Sequence, residues 1–413
     1  MASAASKGKF IQFGCWNQGL CHTEEVAASV ASDSITRVMH TLKDYVAINA
    51  PDFIVVAGDN YYPRKEEKDG IKKKYIEPVN MASGFKCLPL DIPIDMILGN
   101  HDLETNTGAD ANLFITDDSV KETDCFITTK EIELATNINI SFVVNKARLL
   151  NGHTLVLMID TSMYDDSDIE DMFPCYKKMP GYAGIPDVAA LRANQWGFIR
   201  EEIEKYKKTG QLRNIIIIGH HPITGYKHSI KVKVGSKPKP KLELMTGFAS
   251  FIDMLVNGIY KSTENTVKYY YLCADLHLYQ EGTIQFNGGM TINQYIVGTG
   301  GTKLDLDPMR FEPAKDFSRP ESFSDSSDKT VPIGTYIMNT EQSRRVHGFL
   351  ECDFRSEALT FNFIPVSESV SVSKGGRRRN SVYKRTKRTK RRRSRSRSRQ
   401  SRSRLTRRVR KRV

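Results

Sequence analysis

The chain has 413 residues and a formal charge of +13, but that sum conceals two regions of opposite sign. Positions 374–413 hold 22 Lys and Arg with no Asp or Glu, which leaves 39 basic against 48 acidic residues in positions 1–373. An acidic body excludes a basic nucleic-acid-binding fold, and a like-charged run almost without large apolar side chains excludes a core in the tail.

The division reads as one folded domain over 1–365, long enough to bury a core, followed by a disordered Arg/Ser-rich basic tail over 366–413. The densest apolar run, Ile215 to Ile218, falls far short of the roughly 20 residues that a membrane span needs. Met1 to Lys9 is small and polar, without the apolar stretch of a signal peptide. Seven cysteines, odd in number and without a CxxC pair, suit reduced thiols. These features together predict an intracellular protein that is neither secreted nor membrane-bound.

In chain order, apolar β-rich runs occur at Phe10–Phe13, Phe53–Val56, Ile94–Leu98, Leu155–Ile159, Ile215–Ile218, Tyr269–Leu272 and Ile292–Val297. Continuous apolar runs of this length predict strands buried on both faces. Helical patterns lie between several of them, at Glu24–Tyr45, at Val188–Lys207 with Asp187 as N-cap, and at Phe248–Tyr260. Strands alternating with helices predict an α/β sandwich. Lys227–Lys241, with six lysines and two prolines, reads as an exposed loop, and the stretch after Thr302 as irregular until Val331. Gly334–Met338 and His347–Phe363 then read as closing antiparallel strands.

Residues able to bind metal fall just past the ends of these strands: Gly58-Asp59-Asn60-Tyr61-Tyr62, Gly99-Asn100-His101-Asp102, Gly219-His220-His221-Pro222 and Ala274-Asp275-Leu276-His277. Side chains at the C-terminal ends of strands converge on one edge of an α/β sheet. One Asp or His in such a place is commonly a cap or a structural residue. Four clusters in order point to a shared metal centre.

The blocks GDNYY, GNHD and GHHP, in this order, resemble those of the calcineurin-like metallophosphoesterases, and the tyrosine in the first of them resembles the purple acid phosphatase branch. The resemblance covers Phe10 to Thr302. It implies a four-layer α/β/β/α sandwich with two divalent or mixed-valence metal ions, iron, zinc or manganese, acting on a phosphoester substrate. By position it places the bridging carboxylate on Asp59, an amide ligand on Asn100, imidazole ligands on His220 and His277, and a tyrosinate ligand on Tyr62. His101, oriented by Asp102, matches the histidine that protonates the leaving alcohol. A carboxylate between two cations can bridge them, and the pair then clamps phosphate and activates water. Histidine titrates near the working pH of such a reaction.

Two positions depart from the family pattern. Cys15 stands where the first motif has an aspartate, and Asp275 where the last has a histidine. A thiolate favours softer ions and a carboxylate harder ones. The expected sites are therefore Cys15, Asp59, Tyr62 and His277 for one ion, and Asp59, Asn100, His220 and Asp275 for the other. The same departures suit an alternative, a catalytically impaired member of the fold serving as a nucleic-acid-associated or virion structural protein. Gly298–Lys303 lacks the spacing of a phosphate loop and reads as a glycine-rich segment beside the metals. His221 reads as a residue lining the site, whereas His22, His40, His153, His228 and His347 have no constellation. Residues 374–413 would attract nucleic acid electrostatically and without sequence preference, which suits the nucleus or a nucleoprotein particle such as a virion.

Overall fold

Runs of apolar residues without a polar face must be covered on both sides, and the chain meets that demand with two sheets packed face to face. The structure is a computed structural model that describes residues 8–23, 34–68, 71–104, 114–116, 125–231, 239–263 and 267–367. All of these fall within one compact unit, Met1–Glu368. The basic segment 374–413 lies outside the described residues.

The first sheet has the order Thr360–Pro365, Gly348–Asp353, Lys9–Phe13, Phe53–Ala57, Ile94–Ile97 and Ser141–Phe142. Its strands from Lys9–Phe13 onward run parallel, with Phe10 opposite Phe53 and Ile54 opposite Ile94. The second sheet has the order Glu321–Ser324, Pro332–Met338, Tyr279–Phe286, Thr291–Val297, Lys268–Cys273, Asn214–Ile218, Thr154–Ile159 and Asn145–Leu150. Its four strands from Thr291–Val297 to Thr154–Ile159 are parallel. Parallel pairing brings the C-terminal ends of successive strands to one edge.

The period of two then sorts side chains between layers. Ile216 and Ile218 pack between the sheets with Phe10, Val55 and Ile97. Ile215 and Ile217 turn outward beneath helices Ile169–Tyr176 and Val188–Lys207. On the other side Ile11, Phe13, Ile54 and Val56 pack against helices Ser34–Asn49, Pro78–Cys87 and Phe126–Asn137. Three apolar clusters between four layers make the α/β/β/α sandwich that the motifs implied. The Asp187 carboxylate accepts from the Ala190 amide at 2.7 Å and caps Val188–Lys207 as expected.

Three expectations need correction or restriction. The helix read from Glu24 begins, among the described residues, at Ser34, and 24–33 lie outside them. The lysine-rich loop is instead a hairpin, Tyr226–Lys231 antiparallel to Lys239–Leu244, because Tyr226 and Leu242 are buried and anchor it despite its charge. The expectation of reduced thiols fails, since Cys21–Cys87 and Cys125–Cys175 are disulfides. Their partners lie 66 and 50 residues apart, so only the fold, which brings the Cα atoms to 6.4 and 5.2 Å, reveals them. Disulfides persist in oxidising compartments, and cysteine usage therefore gives no support to an intracellular location. Among the described residues no helix is long and apolar enough to cross a membrane.

Candidate metal centre

Cys15, Asp59, His220 and Asp275 each stand two residues past the end of a buried strand, and Asn100, His277 and Tyr62 follow within five, so the backbone must turn sharply at these ends. Cys15, Asp59 and Asp275 adopt left-handed conformations, with φ of 53°, 54° and 57°. For residues with a Cβ this costs roughly 1–2 kcal/mol each, and the strain lies where side chains from different strands meet. Gly99 allows a close approach of the turns: a Cβ there would lie 2.3 Å from Asp59 Oδ1.

Asp59 is the hub, and its two oxygens face different partners. Oδ2 accepts from the Tyr62 hydroxyl at 2.5 Å and lies 3.8 Å from Cys15 Sγ. Oδ1 accepts from the His101 amide at 3.1 Å and lies 3.2 Å from His220 Nε2. His277 joins the first side, with Nε2 3.0 Å from the Tyr62 hydroxyl, and Asn100 joins the second, with Oδ1 3.2 Å from His220 Nε2. Ligand-type atoms of Cys15, Asp59 and His220 lie within 4.8 Å of one another, as do those of His220, His221 and Asp275.

The outer nitrogens of two histidines fix their protons. His220 Nδ1 is 2.8 Å from the Ala57 carbonyl and His277 Nδ1 3.0 Å from the Lys303 carbonyl. A carbonyl only accepts, so both Nδ1 atoms carry hydrogen and both Nε2 atoms turn lone pairs inward. The His220 lone pair faces two oxygen acceptors, Asp59 Oδ1 and Asn100 Oδ1. The His277 lone pair faces a phenol whose proton is already given to Asp59. Electron-rich atoms gathered in this way are matched either by an extra proton on His220 or by cations, and backbone carbonyls on the outer nitrogens are the usual partners of metal-binding histidines. The residues present therefore fit metal ions.

The protonation preferences of the metal-free site carry the same message. Burial pushes the Cys15 thiol well above its ordinary value, and the Asp59 charge adds to this. Burial followed by Asp59 raises Tyr62 likewise. Burial would raise Asp59 too, but the His220 and His101 charges outweigh it and hold that carboxyl below the usual range. Burial would lower His220, yet Asp59 carries it up to about 9. A cation among these donors reverses the directions for Cys15 and Tyr62, because it favours their ionised forms.

All nine residues singled out in the sequence lie on this edge, but Asp102 does not hold His101. Its carboxylate accepts from the Asn60 and Gly99 amides at 2.6 and 2.7 Å and from Asn60 Nδ2 at 2.7 Å, which ties two ligand-bearing turns together. Glu104 is the residue that meets His101 Nδ1. It lies one helical turn further on, and its spacing was the available signal. Glu131, from helix Phe126–Asn137, is fully buried beside Asp102, and burial followed by the Asp102 charge raises its carboxyl well above the usual range. Thr161 supports His220 and His221 through both of their amides, at 3.0 and 2.9 Å. No local pattern marks either residue. Gly298–Lys303 does lie beside the site: a Cβ on Gly298 would come 3.4 Å from Cys15 Sγ.

A two-sheet sandwich with a carboxylate, imidazoles and an amide gathered at its strand ends suits the class of metal-dependent phosphoesterases. The calcineurin-like phosphoesterase model matches residues 8–242, and the chain belongs to that family, whose members use a dimetal centre to hydrolyse phosphoester bonds. No curated protein matches in sequence. Solved structures with a similar course include GAP50, the anchor in the inner membrane complex of Plasmodium, at 12% identity over 87% of this chain and 85% of that one, with a TM-score of 0.40. A dimetal phosphatase from Danio rerio is 9% identical over 88% of this chain and 98% of that one, with a TM-score of 0.41.

Proposed function

We propose that the chain is a metal-dependent phosphomonoesterase resembling the purple acid phosphatases. Cys15, Asp59, Tyr62 and His277 would hold one ion, and Asp59, Asn100, His220 and Asp275 the other, with iron, zinc or manganese as the ions. The observation that carries this reading is the inward orientation of the His220 and His277 lone pairs toward oxygens on the two sides of Asp59. Bound there, two ions would neutralise phosphate oxygens and lower the pKa of water.

The chain's own residues do the rest. His101 holds a proton on Nδ1 against Glu104, and that carboxylate favours the doubly protonated ring, which can give its Nε2 proton to the leaving alcohol. Asp102 fixes the Gly99 and Asn60 amides and so the positions of Asn100 and Asp59. A cleft of about 960 Å³ opens from Asn100 and Asp275 toward the hairpin that carries Lys227 and Lys241, and it has room for a substrate body larger than phosphate. Residues 374–413 would bring the enzyme to nucleic acid, in a nucleus or a nucleoprotein particle, by charge alone.

The full-length protein, loaded in turn with zinc, manganese and iron, should release alcohol from an aryl phosphate. His101→Ala should slow turnover at least about tenfold with metal content unchanged. Absence of turnover with all three metals overturns the enzyme reading. A second reading, a binding protein on the same fold, is favoured by Cys15, whose fully buried thiol is held neutral beside Asp59. Metal analysis separates the two, because about two ions per chain supports the enzyme and one or none the binding protein.

A further inference from the structure

The three histidines at the strand ends of the second sheet differ in what meets their outer nitrogen. His220 and His277 each face a carbonyl, as described. His221 Nδ1 instead lies 3.1 Å from the hydroxyl of Thr161. That oxygen already accepts two hydrogen bonds, from the amides of His220 and His221, and a hydroxyl oxygen has two lone pairs. Its proton has two acceptors, His221 Nδ1 and the Tyr271 hydroxyl oxygen, whose own proton goes to the His221 carbonyl; with both lone pairs of Thr161 taken, no ring hydrogen can be received there and His221 Nδ1 is an acceptor. The ring hydrogen of His221 therefore resides on Nε2, the reverse of the arrangement in the two neighbouring rings.

The consequence is chemical. A nitrogen that carries hydrogen cannot donate a lone pair to a metal, although a ring nitrogen of His221 lies within 4.8 Å of the Asp275 carboxylate and of His220. Ligation through Nε2 would require the proton to move to Nδ1 and point at an oxygen with no lone pair left. The ring is also wedged edge-on between those of His220 and Phe248, with centroids 4.8 and 5.2 Å away, which fixes its orientation. It is buried except where it borders the same cleft as Asn100 and Asp275, and no hydrogen bond joins it to Asp275 among the described residues.

We infer that His221 is a substrate-contact residue that donates its Nε2–H to an oxygen of the phosphoryl group, and that Thr161 is the positioning residue that sets its tautomer. The inference rests on the phosphoesterase reading. A rigid donor beside the metals binds the phosphoryl oxygens without competing for the ions, and an anion is the partner that rewards such a donor most.

The test uses full-length protein loaded with zinc, metal analysis, and calorimetric titration with inorganic phosphate. His221→Ala should weaken phosphate binding about tenfold or more with zinc content unchanged. His221→Gln, which keeps an N–H at a similar reach, should recover most of that loss. Long-range ¹H–¹⁵N spectra of the wild-type protein should show the His221 proton on Nε2. Loss of zinc in both variants would overturn the inference and make His221 a ligand. Unchanged phosphate affinity in His221→Ala, or a proton on Nδ1, would overturn it as well. A wild-type protein that binds none of zinc, manganese and iron is a different failure, since it overturns the phosphoesterase reading and the His221 inference with it.

Discussion

The two sheets contribute different chemistry to one edge. From the first come the anionic or ionisable donors Cys15, Asp59 and Tyr62 together with the amide of Asn100, and from the second come the imidazoles of His220 and His277. Asp275 is the exception, a carboxylate on the second sheet where the family pattern has a histidine. The first sheet alone would gather negative charge with nothing to balance it, and the second alone would offer neutral donors of modest affinity. A cation needs both, and Asp59, which reaches partners on each side, joins them.

The sharpest way to break this comparison is to remove one member from each sheet. Asp59→Asn should take bound metal from about two ions to fewer than one, because the amide cannot bridge, whereas His220→Ala should remove only the ion on its own side. Elemental analysis checks both, and equal losses would mean that the two sheets are not distinct in role. The next effect is mechanical. Cys125–Cys175 joins helix Phe126–Asn137, over the first sheet, to helix Ile169–Tyr176, over the second, whereas Cys21–Cys87 stays on the first side. Loops of 50 and 66 residues predict a loss of about 4 kcal/mol when either disulfide is removed. Denaturant unfolding of Cys125→Ser and Cys21→Ser should show similar losses, and only Cys125→Ser should also weaken metal binding.

The smallest effect concerns charge on the second sheet. Asp160, at the end of strand Thr154–Ile159, is pushed up to about 6 by burial, against the hydrogen bonds from Tyr176 and Ser162. A carboxyl raised in the folded state contributes stability below its unfolded value near 3.8 and loses it as pH rises through about 6. The metal-free protein should therefore lose about 2 kcal/mol from this group between pH 4 and 7. Asp160→Asn should remove that part of the slope in thermal melts. An unchanged slope would mean that the second sheet tolerates a buried charge.

Much of the fold was legible because the signals are local. Ile215–Ile218 cannot be exposed on either face, and Asp187 ahead of Val188–Lys207 caps its helix within three residues. The lysines of 227–241 misled, since Tyr226 and Leu242, two residues among many charges, decide that the segment pairs. Strand Tyr279–Phe286 escaped notice for a related reason. Its buried Gln280 exchanges hydrogen bonds with the Tyr226 backbone at 3.0 and 2.8 Å, so a polar residue occupies a core position.

For the site, the strand-end clusters along the chain pointed to one shared edge, because parallel sheets bring such ends together, and the resemblance to the family then singled out Asp59, Asn100, His220 and their companions. Which atom holds which proton was decided only by the tertiary structure. Glu104, which the sequence did not single out, meets His101 in the place expected of Asp102, and Thr161, sixty residues before His221, selects its tautomer. Both disulfides belong with these. Periodicity and turn chemistry act over a few residues and can be read from a string, whereas hydrogen-bond capacity is shared among groups that meet only after the layers have packed.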